Sequence, residues 1–388
     1  MGAPIRRLLV IWLAIELVDE LVFGVQDSAL PLIRGDLHLG YAAIGLLLSV
    51  PALAANLIEM PVGLLADSHR RRRLVIGGGL VFTVALFAFA AAPSYAALLL
   101  AMCALYPASG AFVALSQADL MDADVARRDQ NMARWNLAGS IGELGGPGLL
   151  VATVFAGASW RGAYAVMGVI AAIAVAGLLL APGPAPKTDA HEDGLRGAIR
   201  AALRSLRRVD VLRALLLLEV SDLMLDVLTG YLALYFVDVL GEPAWVGALA
   251  VGVRIGAGLA GDVLTVHLLE RVAGTAYVRA TAAAALVAFP VFLLAPGVVP
   301  KLAALAALSV LTAGWYPVLQ ARLYAALPGQ SGAQLAIGNV FRMAVTPVPL
   351  LIGLMAARFG LGAALWIFAA GPVLLTLLLW RARDHATA

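Results

Sequence analysis

Charge is scarce in this chain. Of its 388 residues only 13% are charged while 62% are hydrophobic, and the mean hydropathy is +0.93. A soluble domain needs about a quarter of its residues charged to cover its surface, so most of this surface must face something other than water. Cysteine is scarcer still. Cys103 is the only one and lies in an apolar segment, which excludes an intramolecular disulfide and a thiolate metal cluster. His38, His69, His191, His267 and His385 form no HExxH or comparable ligand set, so no metal or other cofactor is expected. There is no GxxxxGK[ST] run and no hydrophilic stretch long enough for a nucleotide domain, which argues against ATP hydrolysis. The strict alternation of a membrane barrel is also missing. No cleavable signal peptide is expected, because residues 1–7 lead straight into a segment too long and too acidic for one.

What is abundant is apolar sequence in runs of about 20 residues, the length that crosses a hydrocarbon core. A bilayer offers no partner for free backbone groups, so these runs should be helices. Twelve are expected, at 8–33, 41–66, 74–93, 95–120, 131–156 and 161–181, then 211–240, 244–269, 276–296, 299–326, 332–357 and 361–381. The fold class is therefore an all-α membrane protein of twelve transmembrane helices in two pseudo-symmetric six-helix bundles. With the N-terminus inside, Arg6, Arg7, Arg70 to Arg73, Arg127, Arg128, Arg271, Arg279, Arg381 and Arg383 fall on the cytoplasmic side. Only Arg34, Arg161, Lys301 and Arg358 fall opposite. That asymmetry places both termini in the cytoplasm. The net charge of +3 sits in short loops, a pattern for membrane orientation rather than for nucleic acid.

Three domains are expected: an N-terminal bundle over 1–181, a cytoplasmic linker over 182–210 and a C-terminal bundle over 211–388. In the linker, Leu195, Ile199, Ala202 and Leu206 share one helical face and Arg196, Arg200, Arg204 and Arg207 the other. This suits an amphipathic helix on an anionic leaflet. The two halves superpose at one offset of 203 residues, which lays Glu16 on Glu219, Asp19 on Asp222, Gln117 on Gln320 and Asn136 on Asn339. Two six-helix halves in the same orientation form the architecture of a carrier, with a site near mid-membrane.

The end of the second segment reads GLLADSHRRRRL. It resembles the signature loop of the major facilitator superfamily, with Gly63 and Asp67 followed by a basic run that includes Arg71, Arg72 and Arg73. Ser68 and Arg70 depart from the usual pattern, and Gly258 with Asp262 forms a weaker echo. The resemblance implies a conformational latch of Gly63, Asp67 and Arg71, with Asp119 or Asp122 as the carboxylate that Arg71 meets. Segment 5, with Gly139, Gly142, Gly145, Gly146, Pro147 and Gly148, is similar to the Gly-Pro motif of the family's proton-driven exporters. Close helix packing explains the same residues equally well. The exporters' arginine in segment 4 is absent.

Ionisable groups inside spanning helices are costly, so they normally line a cavity and perform a task. Segment 1 carries Glu16, Asp19, Glu20 and Asp27 within roughly a 100° stripe, and segment 7 carries Glu219, Asp222 and Asp226 within a narrower one. Crowded carboxylates are suited to capturing and releasing protons. Asp19 and Asp222 lead as proton carriers, with Glu16 and Glu219 as the alternate pair. Arg254 and Arg342 pair with the segment 7 acids or grip an anionic group, and Gln117, Asn136, Gln320 and Asn339 offer neutral hydrogen bonds. The acids outnumber the bases. The expected protein is not an enzyme but a monomeric, proton-coupled carrier in a bacterial inner membrane, exporting small amphiphilic or cationic compounds. A nutrient symporter is the alternative, ahead of a receptor or an intramembrane enzyme built on a pair of buried aspartates.

Overall fold

A computed structural model describes residues 3–65, 71–123, 127–181, 208–326, 341–343 and 345–380. Every regular element among them is helical. The first part contains α1 (Ala3–Asp36), α2 (Tyr41–Leu65), α3 (Arg71–Ala90) and α4 (Tyr95–Ser109). A π-turn (Gly110–Ala114) joins α4 to α5 (Leu115–Ala123), and α6 (Arg128–Phe155) and α7 (Ser159–Leu180) follow. The second part opens with α8 (Val209–Asp222), a π-turn (Leu223–Val227), α9 (Leu228–Leu234) and a second π-turn (Tyr235–Val239). It continues with α10 (Ala244–Leu269), α11 (Gly274–Leu294), α12 (Val298–Thr312), α13 (Trp315–Ala326), α14 (Val348–Phe359), α15 (Leu361–Ala364) and α16 (Ala370–Trp380).

Ten helices among the described residues are long and apolar enough to cross a bilayer. The expected segments outside that set are the first and the seventh, α1 and the rod from α8 through Val239, which are the two richest in acids. Segment 10 was expected as one helix but is broken: α12 stops at Thr312 and α13 starts at Trp315, with Gly314 at φ +74° between them. Expectations for Asp67, Asn339 and most of the linker fall outside the described residues.

The chain clusters into two compact units, Met1–Asp193 with Thr346–Gly353, and Gly194–Val345 with Leu354–Ala388. The short piece of segment 11 joins the first unit through α2. Asn56 Nδ2 donates to Thr346 Oγ1 at 3.2 Å, and the Leu350 amide donates to Ser49 Oγ at 3.1 Å. Within each unit the same helices pair. In the first, α3 packs on α4 and α7, α2 on α4, and α1 on α7. In the second, α11 packs on α12 and α16, α10 on α12, and α8 on α16. The repeat seen in polar positions therefore extends to packing.

The most extensive packing in the first unit joins α1 to α6, and glycine makes it possible. A Cβ on Gly24 would lie 2.2 Å from Glu143 O, one on Gly142 2.3 Å from Leu17 O, and one on Gly146 2.4 Å from the Gly24 carbonyl carbon. Small residues let helix backbones meet where lipid offers no hydrophobic drive to hold them. A side chain on Gly148 would meet nothing within 4 Å. Gly146→Val should therefore lower the thermal unfolding midpoint in detergent sharply, at a cost of about 3 kcal/mol or more. Gly148→Ala should leave the midpoint within about a degree of wild type.

Candidate functional site

In the first unit the acids of α1 stand against α4 and α6. Glu16 and Asp19 are buried, and Glu20 and Asp27 are half-buried. Ser109, the last residue before the π-turn of segment 4, donates to Asp19 Oδ1 at 2.7 Å. The Trp135 indole of α6 hydrogen-bonds to Glu16, and Glu20 and Asp19 lie within electrostatic reach of the same carboxyl. One turn along α6, a Cβ on Gly139 would come within 2.7 Å of Glu16 Oε1, so a side chain there would displace this carboxyl. Further along α1, Gln26 and Tyr106 exchange hydrogen bonds at 2.9 and 3.1 Å. Asp27 lies in the field of Tyr106 and Tyr164.

The second unit repeats the acids but changes their setting. A hydrogen bond joins the side chains of Asp222 and Asp226, and Glu219 and Arg342 lie within electrostatic reach of Asp222. A hydrogen bond between two carboxyls requires a proton on one of them. The π-turn Leu223–Val227 lies between these two aspartates. Arg254 of α10 is buried and donates to the carbonyls of Met224 (2.7 Å) and Leu225 (3.3 Å) and to Thr312 Oγ1 (3.4 Å). Thr312 corresponds to Ser109 at the 203-residue offset. In both units a hydroxyl one residue before the helical defect of segment 4 or 10 thus meets a charged residue.

The break in segment 10 is closed by side chains. Asp262 accepts from the Gly314 amide at 3.2 Å, Tyr277 donates to Ala313 O at 2.8 Å, and Trp315 Nε1 donates to Thr281 Oγ1 at 2.9 Å. Asp262, the echo of Asp67 in the sequence, therefore caps a helix start within its own unit.

The neutral candidates scatter. Gln117 is half-buried and contacts the Met132 sulfur at 3.8 Å, Asn136 is exposed, and Gln320 is half-buried. Lys301, expected at the outer end of segment 10, is buried and donates to Tyr235 Oη and to the carbonyls of Phe292 and Leu293. Ser109 and Thr312 escaped notice in the sequence, although the offset that aligned the acids aligns them too.

Among the latch candidates, Gly63 lies near the end of α2 and Arg71 opens α3. Arg71 Nη1 binds Asp122 Oδ2 at 3.0 Å, and its Nε lies 3.0 Å from Asp119 Oδ1, close in charge but off the hydrogen-bond line. Both Arg71 and Asp119 are buried.

The profile of the Major Facilitator Superfamily matches residues 13–348. The chain belongs to this superfamily. It is a multi-pass membrane transporter of small molecules, not an enzyme. No curated protein sequence matches it. Among solved structures, the nucleoside transporter NupG has a TM-score of 0.77 at 14% identity, covering 98% of this chain and 100% of that one. A bacterial homolog of the human lysosomal transporter Spinster has 0.74 at 15%, covering 98% and 95%. FucP, a superfamily transporter in the outward conformation, has 0.62 at 16%, covering 98% and 99%. At these identities the likeness concerns the fold.

In this superfamily member Arg71 lies 3.0 Å from the buried Asp119, and removing it takes that cation away from the carboxylate. Breaking a buried pair from one side costs about 3–5 kcal/mol. Arg71→Gln should therefore destabilise the protein in denaturant or thermal unfolding. Asp119→Asn placed on top should recover part of the loss, because a neutral amide tolerates burial better than an unpaired charge.

Proposed function

We propose that this transporter couples substrate movement to protons in a bacterial cytoplasmic membrane, with both termini inside, and that it exports small amphiphilic or cationic compounds. The observation that carries this reading is the pair of acid sets. Glu16 and Asp19 in segment 1 are buried and hydrogen-bonded, and their counterparts at the 203-residue offset in segment 7, Glu219 and Asp222, are half-buried, with Asp222 hydrogen-bonded to the exposed Asp226. Carboxyls so placed can alternate between protonated and ionised forms when the surroundings change. Asp19 and Asp222 remain the leading carriers, with Glu16 and Glu219 in support.

Segment 5 glycines that suggested an exporter also serve close packing on α1, so they support export less. Arg254, which suggested an anionic substrate, donates to backbone carbonyls and so supports an anion less. The preponderance of acids still favours a cationic or weakly basic substrate. Uptake is the second reading, favoured by the fold shared with a nucleoside transporter.

The deciding experiment acidifies inverted membrane vesicles containing the protein and adds lipophilic cations, nucleosides and organic anions in turn. Proton release on adding a lipophilic cation is the expected result, falling about tenfold or more in Asp222→Asn and in Asp19→Asn. A nucleoside response of opposite sign would establish symport. Silence with every compound, while the protein is folded and abundant, would sink proton coupling.

A further inference from the structure

The π-turn of segment 7 has a gap in its hydrogen-bond ladder, and Arg254 fills it. In a regular α-helix the Leu228 amide would donate to Met224 O. Here it donates to Leu223 O, one residue further back. Met224 O thereby loses its backbone donor, and Met224 is fully buried, away from water that could replace it. The guanidinium of Arg254 takes the vacant place, with Nη2 at 2.7 Å from Met224 O and 3.3 Å from Leu225 O. Leu225 O also accepts from Thr229 Oγ1 at 2.6 Å. The fork lets Nη2 serve these carbonyls while Nη1 donates to Thr312 Oγ1 at 3.4 Å.

The gap matters because of its neighbours. Asp222 precedes the π-turn and Asp226 lies within it, and the side chains are hydrogen-bonded to each other. Returning such a turn to α-geometry takes one residue out of the bulge. That would rotate α8, which carries Glu219 and Asp222, by about 100° relative to α9.

We propose that Arg254 is a positioning residue for the carboxyls of segment 7: by replacing the donor that the π-turn removes from Met224, it fixes the register in which Asp222 meets Asp226. This rests on the reading that these carboxyls carry the coupled proton. The charged groups around Asp222 are Asp226 and Glu219 on its own rod and Arg342. From the packed elements come Arg254 and Asp262 of α10 and Arg322 of α13, while α16 presents none.

The test needs no substrate. Full-length protein in lipid nanodiscs is titrated while infrared difference spectra follow the protonated-carboxyl stretch, with Asp222→Asn assigning its band. Arg254→Gln is expected to move the midpoint of that band by about one pH unit and to shift its frequency. Arg254→Lys, which keeps the charge but replaces the two-nitrogen fork with a single donor nitrogen, should move both in the same direction by less. Lys301→Gln removes a buried cation from carbonyls remote from these acids, so it should lower stability without moving the band.

A band unmoved in Arg254→Gln overturns the positioning role and leaves proton coupling standing. If that variant does not accumulate, an unmoved band in Arg254→Lys has the same meaning. No band lost in Asp222→Asn would overturn the coupling reading and this inference together.

Discussion

The bilayer tolerates no unsatisfied backbone polar group, and much of this structure follows from that constraint. At several helix ends and ladder slips among the described residues, a side chain from another helix supplies the missing partner. Arg72 donates to Leu178 O and Ala181 O at the end of α7, and Arg161 to Ala90 O and Ala92 O at the end of α3. Arg213 donates to Leu378 O of α16, and Lys301 to the last turn of α11. Ala90 and Leu293 correspond at the 203-residue offset, yet one is capped by an arginine from α7 and the other by a lysine from α12. The carbonyl that needs a partner has kept its place between the halves, while the residue that answers it has not.

The same logic governs the irregular turns. Segment 4 passes through a π-turn at Gly110–Ala114, and the related stretch of segment 10 breaks outright at Ala313–Gly314. The location is shared and the form differs. A π-turn frees one carbonyl and can remain within a continuous rod. A break frees groups on both sides and needs more partners, which Asp262 and Tyr277 supply. Such interruptions survive at membrane depth only where protein or a polar cavity surrounds them. Their coincidence with Ser109–Asp19 in one unit and Thr312–Arg254 in the other ties the defects to the charged residues.

The helical class, most segment boundaries among the described residues and the repeat were legible in the sequence, because lipid imposes a length and an apolar composition on each span. The acids were legible for the converse reason: Glu16, Asp19, Asp222 and Asp226 stand out against an apolar background. The defects were not. A π-turn has no composition of its own, and nothing in the run around Met224 distinguishes a slipped ladder from a regular one. Gly314 could have marked a break, but it stood among many glycines that serve close packing. The carbonyl partners of Arg254 and Lys301 were not legible, because charge in sequence suggests opposite charge, whereas in a membrane the nearest unmet demand is often a carbonyl.

The crossing of α1 and α6 joins packing to chemistry at a single seam. Gly142 and Gly146 bring the two backbones together, and that approach carries the Trp135 indole to Glu16, while Gly139 leaves space for the carboxyl between them. A bulkier residue at Gly139 would act on the acid directly, and one at Gly146 would act on it through the spacing of the helices. The glycine pattern thus has a sufficient cause in holding a carboxyl against α6, whichever way substrate moves. Direction in a coupled carrier is set by which exchange of proton and substrate each conformation favours, and by the gradients across the membrane. Under the proposed coupling it is to be sought in the affinities of the two acid sets rather than in the helix that packs against one of them.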